Sequence, residues 1–346
     1  MNSIIQTTRE ELRKCMTDHS FPAYRADQIL QWVYKHRATD WRRMTNLHAD
    51  LQQFLSEHFS LRQARLEKKQ SAADGAVKIL LRWPDDARTE TVLIPDDPRR
   101  TVCLSTQVGC PVGCAFCASG LTGFERSLAA AEIVEQLLWI QQDLKPYDRI
   151  SNVVFMGMGE PLVNYENTLQ AIRRINADWA FGIGARHITL STIGLPKQIR
   201  RLAHEDLQIT LAVSLHAGDD QLRQTLIPWA KQFPLDRIFA AIDYYFQHTR
   251  REVTLEYVLL EGVNTSPADA DNLARWAHRS RCNVNLINYN PVTETEYSPA
   301  NAETAGRFLH RLQRRGVNAH LRSSRGADID AACGQLRRKT ESFNSG

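Results

Sequence analysis

Apolar residues along this chain hold a helical period at first and then abandon it. Ile29, Leu30, Trp32 and Val33 cluster within Tyr24 to His36, and Leu47, Leu51 and Leu55 recur four apart, so the first sixty or so residues read as amphipathic helices. Lys35, Arg37, Arg42 and Arg43 line the connection between those helices. The period then changes: Val77 to Leu81 and Thr89 to Ile94 flank Trp83-Pro84-Asp85-Asp86, which predicts two strands about a turn. A linker over Pro95 to Arg100 follows. From Thr101 onward, strand candidates (102–105, 152–156, 187–191, 209–214, 253–259, 284–288 and 318–322) alternate with helix candidates (128–142, 165–176, 197–204, 235–248, 267–279 and 304–315). Alternating βαβα order predicts a parallel sheet with helices outside it, here a full or partial α/β barrel. Four segments result: a helical accessory domain over 1–65, a hairpin and linker over 66–95, the core over 96–336 and a polar tail over 337–346.

Length agrees with this division, since 346 residues suffice for one large barrel and a small second domain. No run approaches the ~20 apolar residues of a membrane span, and Arg9, Glu10, Glu11, Arg13 and Lys14 are no signal-peptide pattern. A cytoplasmic location without membrane attachment is therefore expected. Seven cysteines in a reducing compartment point to metal ligation, catalysis or burial rather than a disulfide framework. The formal net charge of +4 names no partner. Between Glu303 and Lys339, however, Arg307, Arg311, Arg314, Arg315, Arg322, Arg325, Arg337, Arg338 and Lys339 outnumber Glu303, Asp328 and Asp330, an excess that suits phosphates and equally a solvated helix face.

Cys110, Cys114 and Cys117 lie in Gly-Cys-Pro-Val-Gly-Cys-Ala-Phe-Cys. Their C-x3-C-x2-C spacing puts three thiolates on one short loop, and an iron–sulfur cluster held by three leaves one iron open to a small ligand. A structural zinc would need four tetrahedral ligands, with Cys103 as the fourth, yet closed zinc sites usually pair two C-x2-C knuckles and one is present. Gly109, Pro111, Gly113 and Gly120 mark the loop as an exposed turn. It follows the first core strand, and barrels of this kind place their active sites where strands end. Other strand ends are small and polar: Gly157-Met158-Gly159-Glu160-Pro161, Ser191-Thr192, Ser214-Leu215-His216 and Asn290-Pro291. Their convergence on one rim suits ribose hydroxyls, an amine and a carboxylate.

The cysteine loop resembles that of the radical S-adenosylmethionine (SAM) superfamily, in which SAM chelates the open iron and yields a 5'-deoxyadenosyl radical. More specifically, Cys103 to Phe124, Phe155 to Pro161, Ser214 to Ala217 and Asp328-Ile-Asp-Ala-Ala-Cys-Gly-Gln-Leu336 resemble, in order, the RlmN-type adenosine methyltransferases. The resemblance implies a partial (β/α)6-type radical SAM barrel with an N-terminal helical accessory domain. It also implies one [4Fe-4S] cluster on Cys110, Cys114 and Cys117, and two SAM per turnover bound by Gly159, Glu160, Ser191, Ser214, Leu215, His216 and Asn290. Methylation at C2 of an adenosine in 23S rRNA, and of the adenosine 3' of the tRNA anticodon, would follow, with flavodoxin or ferredoxin as electron donor and the chain a monomer. Cys333 matches the family's methyl carrier, Cys103 its resolving thiol and Glu90 its general base, although strand position alone makes Glu90 solvent-facing. The sister Cfr-type enzymes, which methylate C8, share these residues. Ile287-Asn288-Tyr289-Asn290 differs from the family's Pro-containing version but keeps Asn290-Pro291, and Cys15 and Cys282 match no family role.

Overall fold

The computed structural model describes residues 2–145 and 147–337. Its N-terminal unit is tied at both ends by a short parallel pair, β1 (Asn2–Ser3) with β2 (Phe59–Ser60). Between them run α1 (Arg9–Asp18), α2 (Arg25–Tyr34) and α3 (Ala49–His58). A capping box starts α1: Thr8 Oγ1 accepts from the Glu11 N–H and Glu11 accepts from the Thr8 N–H at 2.7 Å, which satisfies two otherwise orphaned donors. Leu12, Met16, Ile29, Val33, Leu51 and Leu55 are buried, in one apolar cluster continuous with the main core. Arg37, from the basic connection, donates to the Leu144 carbonyl at 2.9 Å, and Glu135 accepts from the Gln63 and Ala64 N–H groups. Part of that basic stretch therefore docks the unit onto the core.

One ten-stranded sheet dominates the rest. β3 (Arg65–Ser71), β4 (Val77–Arg82), β5 (Arg88–Asp96) and β6 (Arg99–Cys103) pair antiparallel in sequence order. The sheet then continues from β6 as a parallel series: β9 (Asn152–Phe155), β10 (Ile188–Thr192), β11 (Thr210–Ser214), β12 (Thr254–Leu259), β13 (Asn283–Asn288) and β14 (Ala319–Arg322). Between β6 and β9 come a small antiparallel pair, β7 (Gln107–Gly109) and β8 (Phe124–Ser127), then α4 (Ala118–Leu121) between these two, and α5 (Ala130–Gln141) after them. Later connections carry α6 (Tyr165–Asn176), α7 (Pro196–Leu202), α8 (Asp220–Leu226), α9 (Leu235–Thr249), α10 (Pro267–Arg279) and α11 (Ala302–Arg314). Helices on the outside make the parallel strands apolar nearly throughout, as in β12, where Leu255, Tyr257, Val258 and Leu259 are all buried.

β14 and β3 are the free edges of this sheet. A strap over 323–337 bridges them. The Asp74 carboxylate accepts from the Gly326 N–H at 2.8 Å, Asp328 accepts from the Ala73 N–H at 2.9 Å, and Lys78 Nζ donates to the Asp330 carbonyl at 3.0 Å. Beneath the strap Val92, Cys103, Met158, Ala331 and Leu336 form a second apolar cluster. The α/β partial barrel and its N-terminal helices match the expectation. The Pro95–Arg100 linker does not: β5 runs through Pro95 to Asp96 and turns at Asp97-Pro98 into β6, with Ile94 opposite Thr101. β3 and α8 were also not foreseen. The expected polar tail lies outside the described residues apart from Arg337, as do Arg338 and Lys339 of the basic stretch.

Candidate active site

The β7–β8 pair pinches the cysteine loop at its base, where the Cys110 N–H donates to the Gly123 carbonyl at 3.1 Å. Gly109 has φ +75°, and a Cβ there would sit 1.7 Å from the Gly123 oxygen, so no other residue fits. Three outside contacts hold the loop. Ala115 N–H donates to the Leu226 carbonyl at the end of α8, Ala118 N–H to Gly334 at 2.7 Å, and Ser119 Oγ to Leu336 at 2.6 Å. The expected exposed turn is therefore half-buried, with all three thiols packed against the core. Burial pushes Cys110 up to about 12, Cys114 well above the ordinary thiol value and Cys117 upward. Under them lies Arg223 of α8, 0% exposed. Its guanidinium donates to the carbonyls of Ile193 (2.6 Å), Leu215 (3.1 Å) and Phe233 (3.2 Å), with no carboxylate ion pair among the described residues. Burial lowers the Arg223 pKa to about 10, and a Cys114 thiolate would oppose that fall.

Strand ends complete a cavity above the loop. It is bordered by Gly159 and Glu160 after β9, Ser191 at the end of β10, Ser214 and His216 at β11, and Asn290 after β13, together with Cys110, Cys114 and Cys117. The expected rim residues thus converge, except that the buried Leu215 lies off the lining and offers its carbonyl to Arg223. Glu160 accepts from the Leu162 N–H at 3.0 Å and the Ile193 N–H at 2.9 Å, while burial raises its carboxyl to about 7. Gly159 has φ +106°, and a Cβ would meet Gln107 Cβ at 2.6 Å. His216 Nδ1 accepts from the Val258 N–H at 3.0 Å, and burial drops its pKa to about 3. It is neutral, with the proton on Nε2. Ser191 and Ser214 hydroxyls are 3.2 Å apart.

Sequence reasoning missed two charged groups here, Arg223 and Glu256, and placed a third, Arg322, only in a general basic stretch. Arg223 sits on the unforeseen α8. Glu256 of β12 is buried on the cavity wall, with Asn285 Nδ2 donating to Oε1 at 3.1 Å and Oε2 left without a hydrogen bond. Arg322 approaches that Oε2 at 3.8 Å. Alternation in Thr-Leu-Glu-Tyr-Val-Leu gives no hint, since both faces of a parallel strand are covered.

Cys333 stands at the tip of the strap and is accessible. It borders the cavity above the cysteine loop and also a second, adjoining one, whose lining includes Cys103 at the end of β6. Asn290 Nδ2 donates to the Cys333 carbonyl at 3.2 Å. Cys103 is 7% exposed, and burial pushes its thiol up to about 12 against the opposing pull of Arg322. Glu90 is not solvent-facing: it is 5% exposed, because the strap covers that face of β5. Its Oε1 pairs with Lys78 Nζ at 3.1 Å and its Oε2 accepts from the Arg337 N–H at 2.8 Å. Burial raises its pKa and Lys78 pulls it back. Val92 pairs with Cys103, so Glu90, two residues along, shares that face; yet it lines a third cavity with Lys68, Asp328 and Asp330 and neither of the other two. Cys15 lies on α1 and Cys282 is buried, both apart from these cavities.

Comparison with known proteins agrees with this geometry. Residues 104–275 match the model of the radical SAM superfamily, and residues 3–61 that of the ribosomal RNA large subunit methyltransferase N-terminal domain. A probable dual-specificity RNA methyltransferase RlmN from Chlorobium phaeobacteroides is 44% identical over 95% of this chain and 93% of its own. Another from Streptococcus mutans is 45% identical over 98% and 95%. The chain belongs to the RlmN family of radical SAM methyltransferases. A crystal structure of a radical SAM methyltransferase from Sphaerobacter thermophilus superposes with TM-score 0.94 at 41% identity, covering 97% of this chain and 99% of that one. As an RlmN-family member the enzyme depends on SAM and a [4Fe-4S] cluster, and the cavity carries the residue types that both would need. Cys110, Cys114 and Cys117 all border the cavity, thiols of the kind an iron–sulfur cluster takes as ligands, and the rim beside them offers a carboxylate, hydroxyls and an amide. No helix among the described residues is long and apolar enough to cross a membrane.

Proposed function

We propose that this enzyme methylates RNA at C2 of an adenosine, in 23S rRNA and 3' of the tRNA anticodon, with Cys333 as methyl carrier and Cys103 as resolving thiol. The observation that carries this reading is the position of Cys333 between the two cavities, one ringed by the three loop cysteines and the other holding Cys103. Adenine C2 lies between two electron-withdrawing nitrogens and is no nucleophile, so direct displacement at a methyl sulfonium has no attacking group. A thiol does. Cys333 Sγ accepts the methyl of one SAM by displacement; a second SAM with the cluster, when bound, supplies the hydrogen-abstracting radical chemistry. The activated S-methyl carbon then joins C2 and leaves RNA bonded to Cys333. With the C2 proton removed, the Cys103 thiolate attacks the Cys333 sulfur, the S–S bond forms as the S–C bond breaks, and the departing carbon takes up a proton as the new methyl group. The one surplus electron left by radical addition passes back to the redox chain, and the external electron donor then reduces the disulfide to restore both thiols.

Cys110, Cys114 and Cys117 hold the cluster in this reading, and Glu160, Ser191, Ser214, His216 and Asn290 orient SAM. Glu90 takes the C2 proton once the Arg337 N–H has left it, because both of its oxygens are engaged under the strap. Residues 1–65 position RNA, residues 66–95 carry Glu90, and residues 96–336 form the catalytic core. A flavodoxin- or ferredoxin-type donor, a monomeric state and a cytoplasmic setting complete the proposal.

Denaturing gels of cysteine variants expressed with cellular RNA test the division of labour. Cys103→Ala should trap a protein–RNA adduct that shifts on nuclease treatment, and Cys333→Ala should form none. Identical behaviour of the two overturns the assignment. Nucleoside mass spectrometry should find 2-methyladenosine; 8-methyladenosine in its place would move the enzyme to the Cfr-type activity.

A further inference from the structure

We propose that the second cavity seats the acceptor adenine and that Arg99 and Arg325 at its mouth grip the phosphates flanking it. This rests on the RNA methylation reading above. Two reacting partners must meet Cys333 from opposite sides: the cofactor from the cavity ringed by the loop cysteines, and the acceptor from a side where Cys103 can afterwards attack the same sulfur. The second cavity satisfies both requirements, since it borders Cys333 and contains Cys103. Its inner wall is apolar, with Ile94, Val154, Met156, Ile287 and Leu336, which suits the flat face of a base.

Its mouth has the opposite character. Arg99, Arg322 and Arg325 stand there with Ser323 and Ser324, against the single carboxylate of Asp96. Asp96 pairs with Arg99 and lies 3.8 Å from Arg325 Nη2, so one anion is shared by two guanidinium groups and a net positive charge faces outward. Arg322 is drawn inward toward Glu256. Guanidinium groups at the lip of an apolar slot are the arrangement that takes phosphates outside and a base within. Another arginine-rich groove, between α10 and α11, also shares one aspartate, Asp271, between Arg311 and Arg315, but has no thiol and no apolar slot beside a reacting group. The strand therefore enters between the β5–β6 hairpin and the residues after β14.

Steady-state methylation of an RNA substrate over a salt series tests the assignment. In Arg99→Gln/Arg325→Gln, loss of two phosphate contacts should raise KM roughly tenfold or more at low salt and reduce the slope of log KM against log salt by about 1.4, with kcat changed far less. Arg314→Gln, in the α10–α11 groove, should leave the slope unchanged. Cluster absorbance and melting temperature equal to the parent establish that the double variant is folded. Unchanged KM and slope in a double variant that still methylates RNA, or a slope lowered as much by Arg314→Gln, overturns the cavity assignment and leaves the function standing. Failure of the parent enzyme to methylate RNA at all is the separate result that overturns the function.

Discussion

Arg223→Met removes a charge while keeping much of the side-chain volume, and its cost should depend on whether the cysteine loop is loaded. In the metal-free protein the substitution strands the carbonyls of Ile193, Leu215 and Phe233, which Arg223 satisfies at 2.6, 3.1 and 3.2 Å. A buried acceptor without its partner costs about 1–3 kcal/mol, so the gross loss is roughly 3–9 kcal/mol. Removing a fully buried cation returns several kcal/mol of desolvation, a strain visible in the fall of the Arg223 pKa to about 10. The net destabilisation should be about 2–4 kcal/mol. With the thiols ionised and bearing a cluster, the same change also deletes a nearby opposite charge. Unit charges near contact are worth up to about 4 kcal/mol at an effective dielectric near 20, so loaded protein should lose on the order of 1–3 kcal/mol more. Anaerobic urea unfolding of both forms, followed by far-UV dichroism, measures the two losses. Equal losses in the two forms would show that Arg223 only holds carbonyls and has no electrostatic bearing on the cluster.

Other consequences are equally measurable. Gly109→Ala, whose Cβ would fall 1.7 Å from the Gly123 oxygen, should cut cluster content on reconstitution severely; full iron and sulfide content would refute the pinched-loop geometry. Replacing Cys110, Cys114 and Cys117 together by alanine should abolish the cluster, and retained iron at the parental level would place it elsewhere. His216 titrates at about 3 in the folded chain against an ordinary 6.5, so the native state binds fewer protons between those values. Stability should be complete above about pH 6.5 and fall as pH drops toward 3; His216→Asn, which tolerates the local φ of +61°, should flatten that acid limb in urea titrations, and an unaltered limb would refute it.

Much of the core was legible because its periods are clean. α6 and α10 run over the expected 165–176 and 267–279, since Leu169, Ile172 and Ile175, or Ala270, Leu273 and Ala274, repeat at helical spacing. β3 was illegible for the converse reason: Arg-Leu-Glu-Lys-Lys-Gln-Ser is an almost wholly polar, largely exposed edge strand, held by backbone pairing to β4 rather than by burial. At the site, the cysteine spacing and the strand-end polar residues pointed to one rim. Glu90 did not, because its burial comes from a strap some 240 positions later in the chain, through the Arg337 N–H. Arg223 and Glu256 were hidden likewise: each is charged within an apolar setting, and only the third dimension shows what each one faces.

The strap has a consequence for the order in which the enzyme comes into being. It follows every strand of the sheet in chain order, and it brings Cys333, a wall of both cavities and the carbonyls of Gly334 and Leu336 that fasten Ala118 and Ser119 of the cysteine loop. A chain cut short of it can therefore own all three loop cysteines and still lack both Cys333, the proposed methyl carrier, and a closed site. Competence for chemistry thus waits on the strap, so a fragment that stops before residue 326 should be blank toward RNA and should leave a loosely held loop for proteases to find.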